Sequence, residues 1–349
     1  GIEELVVNDI VVNDSDVVVA ASWDRPIFHL PPGGEPTAQV GPTDRISGGW
    51  DIATTPADPN YMTAVVGDIR FCCEGDGQAY TSVFSKDGGR TWEPLPSFEA
   101  GTHPDTLRFG SMAINSGDPR NIVWLPSWDG APHYSRDRGK TWTAVVLPGT
   151  EGQIDENGVY TGGSHFQYYL QREVLLADPF VADRFYLFHA ENGLLRSDDG
   201  GATWEVISAD GLPTGWTVGY FHAQLTAVPD RPGHLLYTPG VVLEGFFPMF
   251  ESTDSGETWS IVANTSDVFA VGYGAPMPGA DQPTIYMAGA VNEVAGLYRS
   301  TDLMNSWEYL GSTADGIYRI IHAIAGDPGL PGRVYVGFNG TSVVQGDQQ

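Results

Sequence analysis

The chain has 349 residues, of which 17 are Lys or Arg and 44 are Asp or Glu, so its formal net charge is −27. Such a surface repels nucleic-acid phosphates and anionic membranes, which excludes both as expected partners, whereas neutral polymers are not repelled. The chain starts at Gly1 and shows neither a signal-peptide pattern nor an apolar run of about 18 residues, so we expect a processed or excised piece.

In chain order, residues 5–45 form a first unit rich in Val and Ile, and five further units follow that each end in the frame Ser-x-Asp-x-Gly-x-Thr-Trp. A short polar side chain followed by glycine favours a tight hairpin turn, and the closing tryptophan can anchor that turn against a neighbouring sheet. Five copies of one site are unusual in an enzyme, and a calcium loop of the EF-hand type would need ligands over about twelve positions. The frame therefore predicts a structural turn and not a reaction centre or a calcium site. The copies are SKDGGRTW (85–92), SRDRGKTW (135–142), SDDGGATW (197–204), STDSGETW (252–259) and the worn STDLMNSW (300–307).

The copies start 50, 62, 55 and 48 residues apart, a period typical of propeller blades of four short strands. Upstream of each copy, an apolar strand runs into a Pro-containing turn and then into a second strand. Residues 5–45 and 319–345 form two more units without a good copy, which makes seven. The sequence predicts an all-β fold, a seven-bladed β-propeller with Asp-box (BNR-type) repeats, as a single domain over residues 1–349.

The sequence contains none of the local motifs that mark a nucleophile, a phosphate-binding loop or a metal site. No Gly-x-Ser-x-Gly elbow, phosphate-binding glycine loop or metal-binding cluster occurs. We therefore expect no metal, no cofactor and no serine or cysteine nucleophile.

Three segments resemble a known family: GIEELVVNDI (1–10), FAVGYGAPMPGADQPTIYMAGAVNEVAGLYRSTD (269–302) and AIAGDPGLPGRVYVGFNG (323–340). They are similar to the carboxy-terminal propeller of glycoside hydrolase family 74, the xyloglucanases and related β-1,4-glucan hydrolases, and the resemblance covers essentially the whole chain. It implies two facing propellers with the glucan in the cleft between them. It also implies hydrolysis with inversion through one carboxyl from each propeller, the half present here bringing the general acid.

The family's acid lies in a segment resembling Gly-Asp-Ile-Gly-Gly-Phe, to which SWDRPIF (22–28) corresponds, and this implies Asp24 as the catalytic acid. A carboxyl at a strand end beside an indole is well placed to lose solvation, which favours the protonated form. The glycines of the family segment are gone, and Trp23, Arg25 and Pro26 reshape the loop around Asp24. Arg25 can pair with another carboxylate or bind a sugar hydroxyl, but a guanidinium close to Asp24 would weaken it as an acid. An ordinary turn aspartate is the alternative.

Sugar binding needs flat apolar faces with polar groups at their edges. Four tryptophans outside the boxes lie beside Gly, Pro, Asp or Thr and are predicted in loops at a propeller face, with loop packing as the alternative. The segment TGGSHFQYYLQRE (161–173) departs most from the blade rhythm and offers His165, for which a turn histidine is the alternative. The predicted substrate-binding residues are Trp23, Arg25, Trp50, Trp128, His165 and Trp216.

An inverting glycosidase needs a second carboxylate about 6.5–9.5 Å from the first, to activate water. The resemblance implies that a second propeller supplies it; internal candidates are Asp51, Asp129 and Asp315, each of which can equally be structural. We predict a secreted, extracellular glycosidase that acts on xyloglucan or a related β-1,4-glucan with a second propeller as partner. The alternative is a non-catalytic carbohydrate-binding or protein-interaction propeller. Retention of Asp24 favours the enzyme, and the lost glycines around it favour the alternative.

Overall fold

A computed structural model of the chain describes residues 5–14, 17–23, 26–30, 46–67, 80–127, 130–155, 172–189, 192–208, 210–213, 223–240, 247–312 and 321–347. These residues form seven sheets, here called blades 1 to 7 in chain order. Neighbouring strands within each blade pair antiparallel in sequence order, as alternating apolar runs joined by short turns require.

The first three blades hold strands β1 to β11. Blade 1 consists of β1 (Val7–Asp14), β2 (Val17–Ser22) and β3 (Ile27–Leu30). Blade 2 consists of β4 (Gly48–Ala53), β5 (Met62–Gly67), β6 (Ser82–Ser85) and β7 (Glu93–Pro94). The short helix α1 (Pro96–Ala100) follows, and blade 3 consists of β8 (Ser111–Ile114), β9 (Ile122–Leu125), β10 (His133–Ser135) and β11 (Thr143–Ala144).

The remaining blades hold β12 to β27, of which β12 (Arg172–Glu173) pairs parallel with the first strand of blade 5. Blade 4 consists of β13 (Leu175–Ala177), β14 (Phe185–His189), β15 (Gly193–Ser197) and β16 (Glu205–Ser208). Blade 5 consists of β17 (Ala223–Ala227), β18 (Leu235–Thr238), β19 (Phe250–Ser252) and β20 (Ser260–Ile261). Blade 6 consists of β21 (Thr265–Gly274), β22 (Thr284–Val291), β23 (Val294–Ser300) and β24 (Glu308–Gly311), and blade 7 of β25 (Ile321–Gly326), β26 (Val334–Phe338) and β27 (Val343–Gly346).

The blades close into a ring in which the first strand of each blade lies innermost. Strand β1 packs against β25 of the last blade, and the backbone N–H of Gly340 donates to the carbonyl of Leu5 at 2.9 Å. The predicted seven-bladed propeller is confirmed. Four strands are present in blades 2 to 6, whereas blades 1 and 7, which lack a good box, hold three among the described residues.

Buried apolar side chains fill the spaces between neighbouring blades. Val19 and Ile52 pack between blades 1 and 2, and Ala288 and Ile324 pack between blades 6 and 7. Each blade is therefore stabilised by both of its neighbours, and its two sheet faces are both apolar. Among the described residues, no helix has the length and hydropathy of a membrane span.

The box turns join the third and fourth strands of blades 2 to 6, and their polar groups bond one another. In the copy 197–204, the Ser197 hydroxyl donates to Asp199 and accepts from the Gly201 N–H, each at 2.9 Å. The hydroxyl of Thr203 donates to Asp199 at 2.7 Å, and the Trp204 indole N–H donates to the Gly201 carbonyl at 3.0 Å. Burial acts against ionisation, but these hydrogen bonds prevail and lower the pKa of Asp199. The boxes are structural hairpins.

Candidate functional site

The turn between β2 and β3 is the part of the chain that contains Asp24. Because β1 and β2 are antiparallel, with Val7 opposite Ser22, this turn lies at the end of the ring where the innermost strands begin. The Trp23 N–H donates to the carbonyl of Val6 at 2.9 Å, and the Ser22 N–H donates to the carbonyl of Pro26 at 3.1 Å. Asp24 and Arg25 lie outside the described residues, between these two anchors.

Two of the predicted sugar-binding tryptophans meet beside this turn. The ring centroids of Trp23 and Trp50 are 6.5 Å apart, with the rings tilted by 56°. Trp23 is partly exposed, whereas Trp50 is 4% exposed. The ring centroids of Trp50 and Phe109 are 4.7 Å apart in a T-shaped arrangement. The loop prediction is wrong for Trp50, which lies within β4 at an irregularity between Gly49 and Asp51. Its contact with sugar stays a prediction.

Other predicted site residues fall outside the part of the chain that the structure describes. They are the substrate-binding candidates Trp128, His165 and Trp216 and the alternative carboxylates Asp129 and Asp315.

A cluster of three carboxylates, which we call the channel cluster, lies where the innermost strands converge. It consists of Asp9 on β1, Asp51 on β4 and Glu173 on β12, and it lines a cavity of about 350 Å³. One carboxylate oxygen from each residue lies within 4.8 Å of the other two. These three are the only titratable side chains among the described residues that line the cavity.

Two members of the channel cluster link neighbouring blades, and the third joins β12 to blade 5. Asp9 accepts from the Ile52 N–H at 2.9 Å, and Asp51 accepts from the Met112 N–H at 2.7 Å. Glu173 accepts from the side-chain amide of Gln224 at 2.9 Å. The first two bonds connect the first strands of blades 1, 2 and 3, and the third holds β12 against the first strand of blade 5.

Burial is the main reason why these carboxyls hold their protons. It raises the pKa of Asp9 to about 6, against the lowering effect of the backbone N–H groups of Ile52 and Ile10. It raises the pKa of Asp51 and that of Glu173 well above their ordinary values, and the charge of Asp9 adds to both shifts. Like charges this close in a low-dielectric site cannot all ionise, so the cluster shares protons at neutral pH.

The spacing of the channel cluster argues against a hydrolytic pair of the inverting kind. An inverting enzyme separates its carboxyls by about 6.5–9.5 Å to make room for a water molecule. The channel oxygens lie within 4.8 Å of one another. They are close enough to surround one cation. Melting temperatures measured at several pH values, with and without a divalent cation, distinguish bound protons from a bound cation.

We expect the thermal stability of the protein to fall as the pH rises from about 4 to about 8. A carboxyl with a raised folded-state pKa costs nothing below its unfolded-state pKa, where it is protonated in both states. Its penalty grows as the pH rises from the unfolded-state pKa to the folded-state pKa, and it is constant above that. For a shift such as that of Asp9, from 3.8 to about 6, the loss is about 3 kcal/mol. Glu173→Gln removes one charge while its amide oxygen can still accept from Gln224, so its melting temperature should vary less over this range.

The control is Glu257→Gln at an exposed turn, which should follow the wild-type curve. An unchanged slope in Glu173→Gln would contradict proton sharing. Calcium or magnesium that raises the wild-type melting temperature at about pH 8, but not that of Glu173→Gln, would assign the cluster to a cation instead.

Sequence reasoning named Asp51 as an isolated candidate and missed Asp9 and Glu173. A signal was present for one of them, because Asp-Ile recurs in the first strands of blades 1 and 2, in VNDIVV and GWDIAT. Glu173 carries no comparable signal, since it reaches the cluster only through the parallel pairing of β12 with blade 5.

Comparison with known proteins finds xyloglucanases among those that this chain resembles. A family model, the BNR/Asp-box repeat, matches residues 133–144. A xyloglucanase of Paenibacillus sp is 27% identical over 348 residues, which cover 99% of this chain and 30% of the relative. The xyloglucanase Xgh74A of Acetivibrio thermocellus is 30% identical over 265 residues, which cover 76% of this chain and 27% of the relative. The chain thus spans less than a third of the length of either relative.

Among solved structures, the GH74 xyloglucanase of Xanthomonas campestris matches with a TM-score of 0.72 at 23% identity, covering 100% of this chain and 44% of that one. This likeness shows the fold. Together with the curated relatives it confirms the predicted resemblance to glycoside hydrolase family 74.

Proposed function

From a resemblance to family 74 xyloglucanases that spans nearly the whole chain, we propose that this propeller is the acid-bearing half of a glycoside hydrolase acting on xyloglucan or a related β-1,4-glucan. The observation that carries the proposal is the location of the Asp24 turn. Its anchors, Trp23 and Pro26, lie at the end of the ring where the innermost strands begin, beside a partly exposed indole. Active sites of propellers and barrels are commonly formed by the turns at such an end.

In the proposed reaction, the protonated carboxyl of Asp24 donates its proton to the leaving glycosidic oxygen. A carboxylate of a second propeller removes a proton from water, which attacks the anomeric carbon from the opposite face and inverts it. The indole of Trp23 offers a flat face to a pyranose ring next to the bond that breaks, and Arg25 offers hydrogen bonds to sugar hydroxyls.

The burial and the neighbours of Asp51, the internal candidate among the described residues, support a base on a second propeller. Asp51 is 7% exposed, and its carboxylate accepts from the Met112 N–H while its other neighbours are Asp9 and Glu173. A carboxyl that is buried and shares protons in this way is poorly suited to activate a water molecule beside a polymer. The length of the curated relatives leaves room for a further propeller.

The polymer is proposed to be neutral and the protein to work outside the cell. A net charge of −27 repels polyanions but not xyloglucan. Trp128, His165 and Trp216 are proposed as further contacts along the chain of sugars.

The alternative is a propeller that binds carbohydrate or another protein without cleaving it. The observation that favours it is the loss of the family's glycines around the acid, where this chain has Trp23, Arg25 and Pro26. Bulky residues there narrow the space for a sugar at the point of cleavage.

The experiment that tests the proposal compares cleavage with binding in the natural full-length protein. Release of reducing ends is measured from xyloglucan and from mixed-linkage glucan, and retardation in gels containing the same polymers is measured in parallel. Cleavage of xyloglucan supports the hydrolase. Retardation without release under any condition would contradict it and leave the binding propeller.

A further inference from the structure

The first strand of blade 2 touches the Asp24 turn at two consecutive residues, Gly49 and Trp50. The turn is already closed by the Ser22–Pro26 hydrogen bond and tied to β1 through the Trp23 N–H. Blade 2 adds a third set of contacts, from Gly49 to Pro26 and from Trp50 to Trp23. The described residues on both flanks of Asp24 are therefore held by neighbouring strands.

Gly49 lies so close to Pro26 that only a glycine fits. A Cβ atom built on Gly49 would lie 2.2 Å from the carbonyl oxygen of Pro26 and 3.3 Å from the Cβ of Ala21. Its own carbonyl accepts from the side-chain amide of the buried Asn8 at 2.6 Å, which fixes it against blade 1. Any side chain at this position must displace the backbone of Pro26, because a carbonyl oxygen cannot rotate away as a flexible side chain would.

Trp50 supports the other flank of the turn through its ring. The ring lies between Trp23 and Phe109, and a Cβ atom at Gly67 would lie 2.9 Å from it. Phe109 is in turn fixed, since its carbonyl accepts from the indole N–H of Trp124 at 2.8 Å. A row of packed aromatic rings thus runs from the turn to blade 3, and its parts have little freedom to move.

We propose that Gly49 and Trp50 are positioning residues that hold Pro26 and Trp23, the described residues on either side of Asp24, and so support the acid of the proposed reaction. This inference rests on the proposed function. Gly49 acts through Pro26 and Trp50 acts through Trp23, and neither needs to touch the substrate. A displacement of about 1 Å of an acid from its productive geometry costs about a hundredfold in rate, so the two supports matter for the chemical step.

The test uses Gly49→Ala in the natural full-length protein with xyloglucan as substrate. We expect kcat to fall by about tenfold to a hundredfold and KM to stay within about twofold. We also expect the alkaline limb of the kcat profile, which reports the acid, to shift because the surroundings of Asp24 change. A merely structural role would lower the melting temperature without moving kcat or this limb.

The matched control is Gly272→Ala on the far side of the ring. A Cβ atom there would lie 2.1 Å from the carbonyl oxygen of Ile324, so that alanine meets a backbone carbonyl of the neighbouring blade as it does at Gly49. Gly272→Ala should lower the melting temperature by a similar amount and leave kcat and its pH profile unchanged. Equal losses of kcat in the two variants would overturn the inference.

Trp50→Phe is the second variant. It tests the positioning role if Gly49→Ala does not fold. It keeps a ring against Phe109 but withdraws the part that reaches Trp23, so kcat should fall with KM retained. A raised KM with unchanged kcat would mean that Trp50 binds sugar directly, which overturns its positioning role. Wild-type protein that cleaves no glucan would refute the proposed function, and this inference with it, whereas an active wild type with unaltered variants refutes the inference alone.

Discussion

Asp24→Asn in the full-length protein is expected to lower the release of reducing ends from xyloglucan by about a hundredfold to ten-thousandfold. Asparagine has the shape of aspartate but cannot donate a proton to the leaving oxygen, and a positioned general acid contributes about that much to the rate. Polymer binding should be retained, because the side chain's volume is unchanged. The measurement is kcat on xyloglucan, with gel retardation as the binding assay.

The nature of the leaving group sharpens this prediction. The phenolate of an aryl β-glycoside with an acidic phenol leaves without being protonated. The loss of rate in Asp24→Asn should therefore be smaller on such a substrate. A variant at an exposed turn of blade 6, Asp281→Asn, is the control and should keep the wild-type rate on both substrates. An equal loss on both would mean that Asp24 does not act as an acid.

The largest effect on stability is expected from Trp204→Ala, which should lower the free energy of unfolding by about 3–5 kcal/mol. Trp204 is 8% exposed within the core shared by blades 3, 4 and 5, and its indole N–H closes the box turn on the Gly201 carbonyl. Truncation leaves a cavity and opens the hairpin at the same time. Urea unfolding followed by circular dichroism measures the change.

The worn box provides the comparison for this prediction. Trp307 packs partly buried at the same position of blade 6, but its indole N–H has no hydrogen-bond partner among the described residues. Trp307→Ala should therefore cost less than Trp204→Ala. A loss at Trp307 as large as at Trp204 would show that the turn's hydrogen bonds add nothing to packing.

The fold could be predicted because its information is local and repeated. The box turns depend on a serine, an aspartate and a glycine within a few residues of one another, so the pattern is visible without knowledge of contacts across the chain. Seven units followed from the spacing of the boxes. Blades 1 and 7, where the pattern that marks the outer hairpin is absent, hold three strands among the described residues.

The channel cluster could not be predicted because its members meet only when the ring closes. Asp9 and Glu173 are 164 positions apart, and no local pattern relates them. Trp50 shows the opposite error, since its glycine neighbours indicated a loop. In the structure Gly49 is needed inside a strand, because the backbone of Pro26 approaches it closely.

The resemblance supplied Asp24, which residue patterns alone would have left as one turn aspartate among many. What the structure adds is the position of its turn at the end of the ring where the innermost strands begin, with Trp23 and Trp50 beside it. Physical reasoning from these contacts then yields the supports at Gly49 and Trp50.

The central claim is that this chain supplies an acid which works with a base on a second propeller. The most direct test measures the release of reducing ends from xyloglucan by this chain alone, by the second propeller alone and by the two together. The account predicts release only when both are present, with loss of that release in Asp24→Asn. Release by this chain alone, undiminished in Asp24→Asn, would contradict it.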